Sequence, residues 1–275
     1  MEETKTLGKL SSKLLQVMKK NNRLIFSVSE AERILDKPKQ KTAVFLGKLV
    51  RRGLLNRLKA GKYLIVPLEI DKSREYLENW YLVARELARP HEYYISHYSA
   101  MVLHNMTTQP VVRVYASVPA RIRSRHVSGI YFYFVYCNRK KFWGIFEKWI
   151  TKQEKVIVSE LERTILDCLE RPDLCGGISE IAKGIWIKRK EIDYQKLVRY
   201  AEKLNVRAVV KRLGFILELY RLGDEGIINS LRRNIQNSLS YIVLDPTLPA
   251  RGKHRSRWKV LINSPEEELK QVIWT

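Results

Sequence analysis

Polar and basic side chains of types that can contact the bases and phosphates of a nucleic acid fall on one side of a predicted helix between Lys39 and Arg52. At 100° per residue, one face of a helix there would carry Thr42, Phe45, Leu46 and Leu49. The opposite face would carry Gln40, Val44, Gly47, Lys48 and Arg51, with Lys41 on its flank. Gln pairs bidentately with adenine and Arg with guanine in the major groove, while Lys suits phosphates. Gly47 removes a side chain where a helix would approach the duplex closely. This spacing predicts a helix that reads DNA.

Basic residues follow this helix in a pattern that extends the predicted DNA contact. Arg57, Lys59 and Lys62 fall in a predicted hairpin, where the next phosphates or the minor groove would lie. Two further basic clusters are Arg121, Arg123 and Arg125, and Arg251, Lys253, Arg255 and Arg257, and the four of the second cluster alternate at a period of two. Alternation would place such side chains on one side of a strand. They could extend the DNA footprint, contact an RNA, or be ordinary solvated charge.

Two histidines are candidates for metal ligands or catalytic groups. His97 and His104 are seven residues apart, whereas a metal-binding pair on a helix is more often spaced by four. No neighbouring cysteine or paired carboxylate completes a site. We therefore expect His104 to be buried and to hold a backbone group.

The acidic residues Glu160, Glu162 and Asp167 do not have the spacing found in the catalytic sites of nucleotidyltransferases or nucleases. They lack the Gly-Ser and paired Asp of a nucleotidyltransferase, and the Asp and Glu-x-Lys of a two-metal nuclease core. We expect Glu162 and Asp167 to form hydrogen bonds within their domain, with Arg163 as a partner. The sequence has no P-loop, dinucleotide-binding turn or nucleophile elbow. It predicts no catalytic residues, no metal and no cofactor, so we do not expect an enzyme.

The elements that must position the DNA-reading helix form a compact series at the start of the chain. The periodicity predicts a helix over Leu7–Asn22, an extended run at Arg23–Phe26, and a helix to Leu35 capped by Ser27 or Ser29. The third helix begins at Pro38, and Gly53 ends it. Runs at Leu54–Leu58 and Tyr63–Leu68 predict a hairpin. This order predicts a winged helix-turn-helix over residues 1–70, with a core of Leu14, Val17, Ile34, Leu46, Leu49 and Ile65.

The remaining residues, 71–275, predict a mixed α/β domain with a helical C-terminal part. A linker at Leu68–Ser73 leads into a long helix, Ser73–Arg89, for which Ser73 is the cap. Strands are predicted at Tyr93–Ile95, Val111–Tyr115, Ile130–Tyr136, Val156–Val158 and Trp258–Ile262. After a short helix from Ser96 or Ser99 to Asn105, further helices are predicted at Ser159–Arg171, Ile178–Lys188, Tyr194–Asn205, Val206–Leu222 and Glu225–Asn237. The predicted fold class is α+β.

The composition favours a polyanionic partner. The 275 residues include 51 Lys+Arg and 29 Asp+Glu, which gives a formal net charge of +22. Nucleic acid is the first expectation and an anionic membrane surface the second. No apolar run approaches the ~20 residues of a membrane span. Three cysteines without a Cys-x-x-Cys pair, and a start without a signal-peptide pattern, lead us to expect a cytoplasmic protein.

Two motifs in the second part of the chain resemble those of AbiEi-type antitoxins from type IV toxin–antitoxin systems. The first is Tyr93-Tyr-Ile-Ser-His-Tyr-Ser-Ala-Met-Val-Leu-His104, in which an aromatic-Ile-Ser stretch leads into Ser-Ala, apolar residues and His. The second is Val158-Ser-Glu-Leu-Glu-Arg-Thr-Ile-Leu-Asp167, followed by Arg171-Pro-Asp-Leu-Cys-Gly-Gly177. The family usually has Pro-Glu-Lys-Thr where this chain has Leu161-Glu-Arg-Thr164. The resemblance spans about Leu10 to Leu222 and does not extend beyond Gly223.

The resemblance implies a DNA-binding regulator that represses its own promoter. Members of this family bind double-stranded DNA through the winged helix, and an inverted repeat is the expected operator. Their second domain counters a nucleotidyltransferase-type toxin, without a stable complex between the two proteins. The genes adjacent to this one would show whether such a toxin is encoded beside it.

Two other classes of function stay open on the residues alone. One is a nucleic-acid-processing enzyme that the winged helix targets to its substrate, against which the missing carboxylate constellation argues. The other is an RNA-binding or protein-binding adaptor whose wing contacts a protein. An adjacent nucleotidyltransferase-like gene and an upstream inverted repeat would separate the antitoxin from both.

Overall fold

A computed structural model describes residues 7–21, 23–66, 74–109, 113–127 and 129–271, and the side chains of residues 74–79 are outside the description. The predicted linker, the cap Ser73 and the predicted strand start at Val111 and Val112 lie outside the described residues. The described chain mixes α-helices with β-sheets, in agreement with the coarse α+β expectation.

The elements of the first ninety residues follow one another in the predicted order. They are α1 (Lys9–Lys20), β1 (Ile25–Ser27), α2 (Val28–Leu35), α3 (Lys39–Arg51), β2 (Leu55–Lys59), β3 (Lys62–Ile65) and α4 (Arg74–Ala88). The next strands and helix are β4 (Tyr94–Ile95), α5 (His97–Leu103), β5 (Arg113–Val118), β6 (Arg125–Val127), β7 (Ile130–Tyr136), β8 (Ile145–Trp149) and β9 (Lys155–Ser159). The last elements are α6 (Leu161–Glu170), α7 (Gly177–Lys188), α8 (Tyr194–Leu204), α9 (Arg207–Leu219), α10 (Glu225–Arg233), β10 (Ile242–Val243), β11 (Lys253–Arg255), β12 (Val260–Ile262) and α11 (Glu266–Gln271).

The chain divides into two compact units. The first contains Met1–Pro90, Ser124–Phe132 and Trp149–Val156, and the second contains the rest of the chain. Helix α4 belongs to the first unit, although the predicted boundary at residue 70 assigned it to the second domain. The division of function between residues 1–70 and 71–275 stays a prediction.

The first unit packs α1, α2 and α3 around a small sheet in which β3 lies between β1 and β2. All three strands run antiparallel to their neighbours, with Phe26 opposite Tyr63. Ser27 and Glu30 form a reciprocal capping box that starts α2, as the sequence allowed. The core includes the predicted Leu14, Leu46 and Leu49, and Phe26 and Tyr63, which the prediction omitted, stack within it.

A larger sheet joins the strands in the order β6-β7-β5-β4-β9-β8. Strand β4 pairs antiparallel with β5 and parallel with β9, which brings Ile95 beside Val158. Two strands of this sheet were not predicted, β6 and β8. Strand β8 has the sequence Ile-Phe-Glu-Lys-Trp and lies at the sheet edge, where Glu147 is exposed and Lys148 is partly exposed. Because Glu147 and Lys148 interrupt the apolar residues, the sequence pattern that predicts a strand is weak here.

The helices of the second unit pack into one core, and their positions confirm the predicted helical series. Helix α6 packs against α7, α8 and α9. Side chains of Asp193 and Asp224 accept hydrogen bonds from backbone amides at the starts of α8 and α10, at 2.9 Å and 2.8 Å. A second small sheet places β12 between β10 and β11. Helix α11 was not predicted, because six residues are too few to show a clear helical period.

Gly214 marks a close approach inside this second core, and its replacement is expected to be costly. A methyl group on α9 at this position would overlap the indole ring of Trp258, which is itself fully buried. Gly214→Ala should therefore lower the free energy of unfolding by about 1–3 kcal/mol. Chemical denaturation of the full chain measures this. The control is Gly47→Ala in α3, where nothing lies within 4 Å and helix propensity should raise stability by about 0.5–1 kcal/mol. Equal effects at both glycines would contradict the packing at Trp258.

Candidate nucleic-acid interface

Helix α3 is fixed to the first unit by one face. Thr42, Leu46 and Leu49 are buried, and Phe45 packs against the same core. The Thr42 hydroxyl donates a hydrogen bond of 3.2 Å to the carbonyl oxygen of Lys37, which secures the turn from α2. Asp36 ends α2 in the left-handed region, with a φ of 51°. The predicted inner face of α3 is therefore confirmed, and its orientation is set by buried contacts.

The opposite face of α3 is open to solvent. Its exposed side chains are Gln40, Lys41, Val44, Lys48 and Arg51. Within the described part of the chain, no carboxylate pairs with Lys41, Lys48 or Arg51, so their charges are available to an outside anion. Val44 is 60% exposed between these polar groups. An apolar side chain in that position suits the methyl group of thymine in a major groove. The arrangement can bind both base edges and phosphates.

Gly47 is only partly covered and lies within this exposed stretch of helix. A methyl group added there would meet no heavy atom within 4 Å. The core therefore does not require a glycine at this position. The absence of a side chain is compatible with the close approach of a duplex that its place in the sequence suggested.

The hairpin β2–β3 directs two of its three predicted DNA-binding cations towards α4. The Lys59 ammonium donates hydrogen bonds to the carbonyl oxygens of Glu86, at 2.5 Å, and Arg89, at 3.3 Å. Lys62 lies 3.9 Å from the carboxylate of Glu86. Burial lowers the pKa of Lys59, while the carboxylate of Glu86 opposes this shift. The Lys59 ammonium thus contacts the C-terminal end of α4, whose carbonyls attract cations. Contact of Lys59 and Lys62 with DNA stays a prediction.

Arginines near the hairpin differ in their surroundings. Arg57 is exposed on β2. Arg125, also exposed, donates a hydrogen bond of 3.1 Å to the carbonyl oxygen of Leu58, so it lies beside the same hairpin. Arg121 and Arg123 are exposed in the second unit. The first unit thus brings together α3, Arg57 and Arg125.

Substitution of Lys59 should affect stability, whereas substitution of Arg57 should affect DNA binding. Lys59→Met should lower the free energy of unfolding by about 1–3 kcal/mol, because two helix-end carbonyls lose a charged donor. Arg57→Ala should change stability by less than about 0.5 kcal/mol. If Arg57 contacts a phosphate, its loss should lower the slope of log K against log salt for duplex DNA by about 0.9. Denaturation and salt-dependent binding measure the two effects. A Lys59→Met variant as stable as the wild type would show that Lys59 does not hold the end of α4.

The two histidines occupy structural positions in the second unit. His104 Nε2 donates a hydrogen bond of 2.7 Å to the carbonyl oxygen of Ser159, which confirms the prediction that it holds a backbone group. Burial lowers its pKa, although this hydrogen bond opposes the shift. His97 is buried, with Nδ1 2.8 Å from the hydroxyl of Ser96, and burial lowers its pKa to about 3. His97 is therefore neutral at neutral pH.

The carboxylates of the second motif form internal contacts. Asp167 accepts a hydrogen bond of 2.8 Å from Arg163 Nε, and Glu162 accepts one of 3.1 Å from the backbone amide of Asp193. These contacts confirm the predicted hydrogen bonds of Glu162 and Asp167. Burial raises the pKa of Asp167 to about 6, although Arg163 opposes this shift. Among the described residues, no group of three or more His, Cys, Asp or Glu side chains is arranged to hold a metal ion.

The basic segment near the C-terminus is partly neutralised. Arg255 pairs with Glu266 at 2.7 Å, and Arg257 pairs with Glu218 at 2.8 Å. Lys253 and Arg255 lie on β11, as the expected extended conformation requires. All four cations of this segment are exposed, and within the described residues no carboxylate pairs with the other two, Arg251 and Lys253. No described helix combines the length and apolar character that a membrane crossing needs.

Comparisons with known proteins find similarity to solved structures. Neither a scan against protein-family models nor a search of curated proteins gives a match. Among solved structures, the chain is similar to the crystal structure of the RV2827C protein from Mycobacterium tuberculosis, with a TM-score of 0.68 and 11% sequence identity. The likeness covers 98% of this chain and 96% of that chain. At this identity it shows a shared fold alone.

Proposed function

We propose that this chain is a transcriptional regulator that binds duplex DNA through a winged helix-turn-helix within residues 1–70. The observation that carries the proposal is the exposed face of α3, where Gln40, Lys48 and Arg51 surround Val44 and the opposite face is buried. In this arrangement α3 is the recognition helix and enters the major groove.

The elements around α3 support the assignment to a winged helix. Helices α2 and α3 pack against each other across a short turn, and β2 and β3 form a hairpin directly after α3. Arg57 and Arg125 give this hairpin exposed positive charge, in the position where a wing meets the backbone of DNA. The net charge of +22 adds a long-range attraction for a polyanion.

The proposal extends to an AbiEi-type antitoxin role for residues 71–275, on the strength of the two sequence motifs. In this role the chain represses its own promoter and counters a nucleotidyltransferase-type toxin without forming a stable complex. Co-expression with a nucleotidyltransferase-like protein encoded by an adjacent gene tests this part. Rescue of growth supports it, and persistent toxicity with normal DNA binding would remove the antitoxin role alone.

Single substitutions on α3 test the DNA-binding proposal with the duplex that lies upstream of the gene. Gln40→Ala and Arg51→Ala should each weaken binding by about 1–3 kcal/mol, because each removes a contact with one base pair. Fluorescence anisotropy with the full chain measures the affinity. Arg199→Ala, an exposed arginine on α8, is the matched control for a lost positive charge and should bind nearly as the wild type does. Unchanged affinity in both α3 variants would show that α3 is not the recognition helix.

A further inference from the structure

The small C-terminal sheet carries an aromatic and basic surface that duplex recognition by α3 does not use. We call Tyr241, His254 and Lys259 the Tyr241 surface. The rings of Tyr241 and His254 lie 4.8 Å apart at an interplanar angle of 87°, and the Lys259 ammonium is 5.6 Å from the Tyr241 ring. Tyr241 is 41% exposed, and His254 is also exposed. Two solvent-facing rings and a cation therefore lie within contact distance of one another.

The strand register explains why these groups share one face. His254 on β11 is opposite Leu261 on β12, and Leu261 is beside Val243 on β10. Because side chains alternate along strands, these residues point away from the buried side chains of Val260 and Ile262. The outer face of this sheet is thus a small, half-exposed platform. Tyr241 lies directly before β10 on one side of it, and His254 lies on β11 on the other side.

Three cations that lie near one another, Lys211, Arg207 and Lys259, have no partner carboxylate among the described residues. The ammonium of Lys211, a fully buried residue, donates a hydrogen bond of 2.5 Å to the carbonyl oxygen of Ser240, a neutral acceptor. Burial lowers the pKa of Lys211, and the nearby charges of Arg207 and Lys259 lower it further. Across the described ranges of the chain, no carboxylate pairs with any of these three cations. An anion bound here would relieve their mutual repulsion.

Aromatic faces beside uncompensated cations match the chemistry of a nucleotide whose base is unpaired. A base stacks on an aromatic ring, and its phosphate pairs with nearby cations. Bases within a duplex are covered by their neighbours and cannot stack in this way. We propose that the Tyr241 surface binds single-stranded nucleic acid, with one base stacked on the exposed ring of Tyr241, its edge near His254, and an adjacent phosphate beside Lys259. This site is independent of the proposed duplex recognition by α3.

The test uses the full chain and labelled strands of about 12 nucleotides, a length within the range of known single-strand sites. RNA and DNA of the same mixed sequence are compared by fluorescence anisotropy at low salt. Tyr241→Ala should weaken single-strand binding about 5- to 150-fold, as expected for loss of one stacked base. Tyr241→Phe should keep most of the affinity, because the ring remains. Lys259→Glu should weaken binding and lower its salt slope by at least about 0.7.

Controls separate this surface from general attraction by a basic protein. Tyr136→Ala removes an exposed tyrosine elsewhere in the second unit, and Lys190→Glu makes the same charge change as Lys259→Glu, at an exposed lysine. Both should bind single strands more tightly than the Tyr241 and Lys259 variants, and Tyr241→Ala should leave duplex affinity unchanged. Binding of RNA, of single-stranded DNA or of both supports the proposal and shows which type of nucleic acid the surface recognises. Absence of single-strand binding, equal losses in the controls, or an equal loss of duplex binding would overturn it.

Discussion

A full-length chain that carries Lys48→Glu and Arg51→Glu is expected to lose nearly all of its affinity for duplex DNA. Two lost contacts are together worth about 2–6 kcal/mol, which corresponds to about 30- to 20,000-fold in affinity. The new carboxylates would also repel phosphates. Both positions are exposed on α3, so the free energy of unfolding should change by less than about 0.5 kcal/mol per position.

The matched control for this variant makes the same charge change in the second unit. Lys190→Glu with Arg199→Glu also lowers the formal net charge by four, from +22 to +18, at two exposed positions. This control should lose much less duplex affinity than the α3 variant. Equal losses would mean that overall charge, and not the face of α3, determines binding.

The second large effect is expected at the buried ion pair on α6. Arg163 is 1% exposed and Asp167 is 3% exposed, and the Arg163 guanidinium also lies 4.3 Å from the centre of the Trp143 ring. Arg163→Leu would leave the Asp167 carboxylate buried without its cation. The free energy of unfolding at neutral pH should then fall by about 3–5 kcal/mol. Denaturation of the full chain, monitored by circular dichroism, measures this loss.

The double variant Arg163→Leu with Asp167→Leu distinguishes the ion pair from simple packing. Removal of both charges should cost less than Arg163→Leu alone, because no buried charge remains. The pKa of Asp167 is about 6 in the folded chain and 3.8 in a model peptide, so the native state holds this proton more tightly. Its contribution to stability therefore falls as pH rises from about 4 to 6. Arg163→Leu should regain stability relative to the double variant on acidification, and parallel pH profiles would contradict this account.

Features that depend on nearby residues could be predicted from the sequence. The capping box of α2 joins Ser27 and Glu30 within one helical turn, and the two faces of α3 follow from the 3.6-residue period. His104 was correctly expected to hold a backbone group, because an isolated histidine among apolar residues needs a buried partner. The sequence did not show that the partner is Ser159, which is 55 positions away.

Features that depend on distant residues could not be predicted. The basic composition of the hairpin did not indicate that Lys59 donates hydrogen bonds to the carbonyls of Glu86 and Arg89 at the end of α4. Nothing in the local sequence around Lys59 indicates that this helix end packs against it. The Tyr241 surface was missed for the same reason, because sheet pairing alone brings Tyr241 and His254 together.

The most direct measurement of the central claim is the base preference of the wild-type chain and of Arg51→Ala, each selected against a randomised library of DNA duplexes. If α3 reads base edges, the wild type should select a defined sequence. Arg51→Ala should lose discrimination at one base pair while it keeps the remaining preferences, since a bidentate contact is worth about 1–3 kcal/mol against the wrong base. Identical preference profiles for the two chains, or a wild type that selects no sequence, would contradict recognition of DNA by α3.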